Sequence, residues 1–142
     1  MVFKYQRQID SLLSEGLRLP PLHAPNGMAA YRYVFSEDNQ NNHRPVCIQN
    51  PGRKLPDNEK FSGYALSCFD SQSKAEQRYK ALCKSFKRTP KAIGDSLSSG
   101  KLNNEDGLVT TPDKNSGHFD LYESDSCDLS KTFKIIEILW RN

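Results

Sequence analysis

At 142 residues and 16.2 kDa the chain has the size of one domain that can bury a core of its own. With 36% apolar residues and a mean hydropathy of −0.74 it holds no run long enough to span a bilayer, and its polar start, Met1 to Asp10, lacks the apolar stretch of a secretory signal, so a cytoplasmic protein with no membrane contact is expected. The net charge of +3 is uneven: residues 1–101 hold 16 Lys and Arg against 9 Asp and Glu, residues 102–142 hold 4 against 8, and the imbalance fits either internal pairing or a basic face offered to an acidic partner.

The elements follow in chain order. Over residues 3–15, Tyr5, Ile9, Leu12 and Leu13 fall on one side at helical spacing, opposite Lys4, Arg7, Gln8, Ser11 and Glu15. Gly16 supplies a left-handed C′ residue, and Pro20-Pro21 forbids continuation, so this amphipathic helix ends near Glu15. Ala30–Phe35 alternates as a strand, with Tyr31, Tyr33 and Phe35 on one face and Ala30, Arg32 and Val34 on the other. Residues 36–45 read as a solvated loop and Val46–Ile48 as a short strand. The Pro51-Gly52 pair predicts a type II turn that exposes Arg53 and Lys54.

Phe61–Phe69 alternates as a further strand. Ser73-Lys74-Ala75-Glu76 matches a capping box, which starts a helix there and sets the expected cost of Ser73→Ala at about 1 kcal/mol. Ala75, Tyr79, Leu82, Cys83 and Phe86 form its apolar face, and Lys74, Arg78, Lys80, Lys84, Lys87 and Arg88 crowd the rest. Thr89-Pro90 stops it and opens a short helix running towards Gly100. Leu108-Val109 is extended, a turn covers Thr111 to Gly117, and strands follow at His118–Glu123 and Thr132–Trp140, the last apolar on both faces as in a central strand. Runs of strands beside few helices predict an α+β domain: a mostly antiparallel or mixed sheet of about five strands, an N-terminal helix and a central basic amphipathic helix.

Motifs for nucleotide P-loops, dinucleotide-binding turns, serine hydrolases, zinc proteases and calcium loops are absent. Cys47, Cys68, Cys83 and Cys127 form no CxxC pair, and His23, His43 and His118 have no second ligand at metal spacing, so reduced core thiols, no metal and no cofactor are expected. Six cations in fifteen residues on the central helix, joined by Arg53 and Lys54, match an acidic protein surface or the phosphates of an RNA or DNA backbone. From this comes the first functional expectation, a non-catalytic interaction module.

The second is a small metal-independent enzyme acting on RNA or a nucleotide. Arg53, Lys54, His43 and His118 can supply the cations and proton carriers of a ribonuclease-like site. The order Arg32, Ser62 or Ser67, then Glu123 resembles the arginine, serine, glutamate order of ADP-ribosyltransferases; the resemblance implies that the arginine and serine hold NAD and the glutamate orients the acceptor or ribose. The chain departs from that pattern in having no helix between Arg32 and Ser62 and no second acid beside Glu123. Period-two geometry puts His118, Asp120 and Tyr122 on one stripe, where a carboxylate can orient an imidazole and a phenol can meet a phosphate. The expected catalytic group is therefore His118, Asp120 and Tyr122, with Arg32 as the cation from a neighbouring strand.

Overall fold

In the computed structural model, which describes residues 1–37 and 39–141, the first helix, α1 (Gln6–Ser14), stops as its sequence dictates. Gly16 takes a φ of 88°, its N–H donates to the Leu13 carbonyl at 3.0 Å, and the Leu17 N–H donates to the Leu12 carbonyl at 3.3 Å. This left-handed cap turns the chain back, and Ile9 and Leu12 bury against Phe61, Ala65 and Tyr122. Leu13, expected on the same side, stands exposed.

Six strands form one antiparallel sheet: β1 (Ala29–Val34), β2 (Leu66–Phe69), β3 (Ser96–Lys101), β4 (Gly107–Val109), β5 (His118–Glu123) and β6 (Lys134–Ile138), in the order β4-β5-β2-β1-β3-β6. An α+β domain built on an antiparallel sheet is as expected, with six strands where about five were expected. The extra strand is β3, read from sequence as part of a short helix. It pairs with β1 along six residues, from Ala29 opposite Lys101 to Val34 opposite Ser96. β6, expected at the centre, is an edge strand whose Ile135 and Ile136 remain exposed.

Three local readings also change. Val46–Ile48 is not a strand: the extended Pro45 caps a helical turn, α2 (Val46–Gln49), its carbonyl accepting from the N–H groups of Ile48 and Gln49 at 3.0 Å. Residues 61–65 do not extend β2 but wind into a 3-10 turn at Ser62–Tyr64. Gly52 lacks the positive φ of a type II turn, although the Arg53 N–H does close a turn onto the Asn50 carbonyl at 3.0 Å.

The central helix, α3 (Gln72–Ser85), is capped two residues before the predicted cap, Ser73. Ser71, in extended conformation, is the N-cap, and its hydroxyl accepts from the Lys74 N–H at 3.4 Å; Ser73 already lies in the first turn. Ser71→Ala is therefore expected to lower stability by about 1 kcal/mol and Ser73→Ala by only a few tenths, read from urea midpoints. The helix ends at Ser85, so Lys87 and Arg88 lie beyond it, before α4 (Thr89–Ala92); α5 (Leu129–Thr132) precedes β6.

One face of the sheet carries the main core, with Ala30, Leu66, Cys68, Phe119, Leu121, Leu129 and Phe133. On the other face α1 covers Tyr122, while α3 lays Ala75 and Tyr79 over Phe69 and Leu97 beside Tyr33. Between these two helices the face at Ser67, His118 and Asp120 stays open. No helix among the described residues is long and apolar enough to cross a membrane.

Candidate functional site

β1 and β2 are neighbours in the middle of the sheet, yet their register holds at one pair, Tyr31 opposite Phe69. Past it the strands diverge like the prongs of a fork. The Arg32 guanidinium bridges the gap: Nη1 donates to the Ser67 carbonyl at 2.6 Å and Nη2 to the Asn42 carbonyl at 2.8 Å. A backbone ladder is thus replaced by one side chain, whose planar, multi-donor head can bond to two separated oxygens at once. Arg32 is 7% exposed, its Nε has no partner, and no carboxylate among the described residues pairs with it.

The fork opens into a cleft of about 670 Å³. Its lining comes from Tyr33, Ser67, Phe69, His118 and Asp120 on one face of the sheet, from Arg44, Arg53 and Ser62 between β1 and β2, from Arg78, Leu82 and Ile93, and from Arg32, which leaves β1 on the opposite, core-side face and reaches the opening through the fork. Among the described residues, four arginines and one histidine thus share the cleft with one acidic side chain, Asp120. Of the three aromatic rings in its lining, Tyr33 and Phe35 are partly exposed, while Phe69 is buried behind Tyr33 at a centroid distance of 5.4 Å. The volume is that of a small-ligand site.

His118 is aimed by its surroundings. The turn before it is held by the Asp113 carboxylate, which accepts from the N–H groups of Asn115 and Ser116, and by Gly117 at φ 73°, where any side chain would run into Asp70 and Lys74. The imidazole stands edge-on to Phe69, with ring centroids 5.7 Å apart. Its Nε2 lies 2.7 Å from the Ser67 hydroxyl and 3.6 Å from Asp120 Oδ1.

Serine and carboxylate therefore compete for the same nitrogen, which differs from a hydrolytic triad, where they take opposite nitrogens. Burial pushes the Asp120 carboxyl above its ordinary value, and the neighbouring His118 draws it partly back. The His118 side chain is 41% exposed and that of Asp120 17%, so the imidazole can meet a ligand while the carboxylate backs it.

The residues singled out in the sequence separate in space. Arg32, His118, Asp120, Ser62, Ser67, Arg53 and Arg78 line the one cleft. Tyr122 does not: it lies next along the stripe but under α1, its hydroxyl buried without a partner and its pKa raised by burial and then by Asp120. Lys54, Lys74, Lys80, Lys84, Lys87 and Arg88 are not among the cleft-lining residues, and the Lys74 ammonium donates to the Lys114 carbonyl at 3.1 Å.

Glu123 and His43 belong to a second hollow, of about 450 Å³. There Glu123, with 1% of its side chain exposed, accepts from Lys4 Nζ at 2.8 Å. Burial draws the Lys4 ammonium down, but the hydrogen bond and charge of Glu123 outweigh it and leave the pKa raised. His43 leans on Phe133 at 5.7 Å, its pKa lowered to about 4 by burial and then by the Arg32 cation. The arginine and serines that resemble the ADP-ribosyltransferase order thus meet in the cleft, and its glutamate faces away. Arg44 and Asn42 were not singled out in the sequence, since only the path of the 36–45 loop brings them here.

Among the described residues no three His, Cys, Asp or Glu side chains gather as metal ligands, and all four cysteines are free. No family model, curated protein or solved structure matches the chain.

Proposed function

We propose that the forked cleft binds a phosphate-bearing nucleotide and that His118, with Ser67 and Asp120, moves the proton in a metal-independent reaction on it. One observation carries this reading: Arg32 is a buried cation with no carboxylate partner among the described residues, set in a cleft that three further arginines share. Burying a charge without a counter-charge is costly. An anion in the fork would supply that charge, and guanidinium groups match phosphate oxygens in pairs. The rings of Tyr33 and Phe35, backed by the buried Phe69, supply a wall for a base. His118 serves as base or acid within reach of a ligand hydroxyl or water, with the Ser67 hydroxyl already in hydrogen-bond range.

A dinucleotide such as NAD and the phosphodiester of RNA share this chemistry. Isothermal titration with ADP, NAD, the RNA dinucleotide ApA and adenosine separates them. The phosphate-bearing compounds are expected to bind and adenosine is not, and Arg53→Glu and Arg78→Glu, both at exposed side chains, should each weaken binding about tenfold. If no phosphate compound binds at millimolar concentration, or if the reversals change nothing, the reading fails. For a ligand that is turned over, His118→Ala should remove turnover while the melting temperature holds.

The non-catalytic alternative, a basic face for an acidic protein, draws instead on the cations outside the cleft. In the same titrations it predicts no nucleotide binding.

A further inference from the structure

Between Glu76 and Asp95 the chain carries six cations, Arg78, Lys80, Lys84, Lys87, Arg88 and Lys91, and no acid. The helical spacing had assigned the one phenylalanine of this segment to the buried face. The structure does otherwise. Because α3 ends at Ser85, Phe86 takes extended geometry, φ −135° and ψ 105°, as the helix cap, and its ring swings out to 65% exposure. Lys84, Lys87, Arg88 and Lys91 are exposed around it in sequence, and none makes an ion pair among the described residues. Lys80 is set apart, since it acts on Glu137. This stretch is continuous with the cleft: Arg78 and Leu82 before it, and Ala92 and Ile93 after it, line the same wall.

From this juxtaposition, and resting on the nucleotide reading above, we infer that the cleft takes its nucleotide as part of a single-stranded polynucleotide, whose flanking residues run over Phe86 and the Lys84, Lys87, Arg88 and Lys91 cations. A free nucleotide bound in the cleft has no use for cations outside it, whereas a strand leaving the cleft carries one phosphate per residue past them. An exposed ring among cations is the arrangement that stacks an unpaired base beside its phosphates. A duplex would keep its bases stacked on one another and leave Phe86 without a partner. An acidic peptide would satisfy the cations and give the ring no flat face to stack on.

The test uses the full chain and fluorescein-labelled oligo(A) twelve-mers of RNA and of DNA in anisotropy titrations at several salt concentrations, with ADP binding followed by calorimetry alongside. One or both twelve-mers should bind at least tenfold tighter than ADP, the RNA and DNA arms showing which sugar is preferred. Lys87→Glu/Arg88→Glu should weaken the twelve-mer by more than tenfold, flatten its salt dependence and leave ADP affinity unchanged. Phe86→Ala, at an exposed position that should not disturb folding, should weaken the twelve-mer about tenfold and ADP not at all.

Twelve-mers no tighter than ADP, or indifferent to these substitutions, would overturn the inference while the cleft reading stands. Equal affinity for a poly-glutamate peptide would also overturn it and assign the patch to acidic protein. Twelve-mer binding that responds to Phe86→Ala but not to Arg53→Glu or Arg78→Glu would instead remove the cleft from the strand's path and with it the inference.

Discussion

Arg32→Gln is expected to lower stability by about 2 kcal/mol and to abolish nucleotide binding in the cleft. The guanidinium is the bridge between two strands that pair at one residue, and it holds the carbonyls of Ser67 and Asn42 at 2.6 and 2.8 Å. Each hydrogen bond to a charged donor is worth roughly 1.5–3 kcal/mol, and a shortened amide cannot reach both oxygens. Against this loss stands the relief of no longer burying an unpaired cation, a cost of several kcal/mol even after relaxation.

The first effect wins, because the fork would otherwise keep two carbonyls turned away from water with no donor. A net loss near 2 kcal/mol corresponds to a fall in melting temperature of about 7 °C for a chain of this length. Arg32→Lys keeps the charge but not the two-pronged reach, so it should recover part of the binding and little of the stability. Wild-type protein should melt higher with ADP present, and Arg32→Gln should show no such rise. A fully stable Arg32→Gln variant that still binds ADP would show that neither the fork nor the site depends on this side chain.

The parts of this arrangement that sequence reading could reach are those written in local pattern. The 3.6-residue spacing and Gly16 placed α1, and strict alternation placed β1 and β5, bringing Arg32, His118 and Asp120 to named faces. β3 was hidden because Ser-Leu-Ser-Ser-Gly-Lys holds one large apolar side chain. Its serines are small because the strand lies under other backbone: Ser96 and Ser98 are buried, Ser98 donates to the Arg32 carbonyl, and Gly100 leaves room for Thr132 and Phe133.

β6 misled in the opposite direction, since its isoleucines imply two covered faces and the strand is exposed at an edge. The serine cap of α3 was displaced by two residues because Ser71 and Ser73 both satisfy the local rule, and only the strand leading into the helix decides between them. The cleft was half legible. Arg44, Arg53 and Arg78 come from three separate segments, and nothing short of the topology brings them to one opening; Tyr122 obeys the alternation rule and is nonetheless sealed under α1.

Stability should fall as pH drops from 6.5 to 4, and His43→Gln should flatten that fall. His43 sits in the second hollow, half-buried, against Phe133 and near the Arg32 and Lys4 cations, with Asp128 as the nearby carboxylate. Burial first, and then Arg32, lower its pKa from 6.5 to about 4. The folded chain therefore keeps the ring neutral in a range where the unfolded chain takes up a proton. Below pH 6.5 the unfolded state binds more protons, so folding stability declines with falling pH and stops declining through this group near pH 4; above 6.5 it contributes no slope.

One proton sets the slope at about 1.4 kcal/mol per pH unit at most, and with the ring only half-buried the whole loss should come to about 2 kcal/mol. Asp95, Asp113 and Asp128, whose pKa values are lowered from 3.8, lose their contributions only at more acid pH. Asp120, raised by burial, acts in the opposite sense and gains stability as it protonates. Urea midpoints of wild type and His43→Gln at pH 4.5, 5.5, 6.5 and 7.5 isolate the histidine: the two curves should run together at 7.5 apart from a constant offset and diverge below 6.5, with wild type falling faster. Parallel curves across the range would mean that His43 protonates in the folded chain as readily as in the unfolded one.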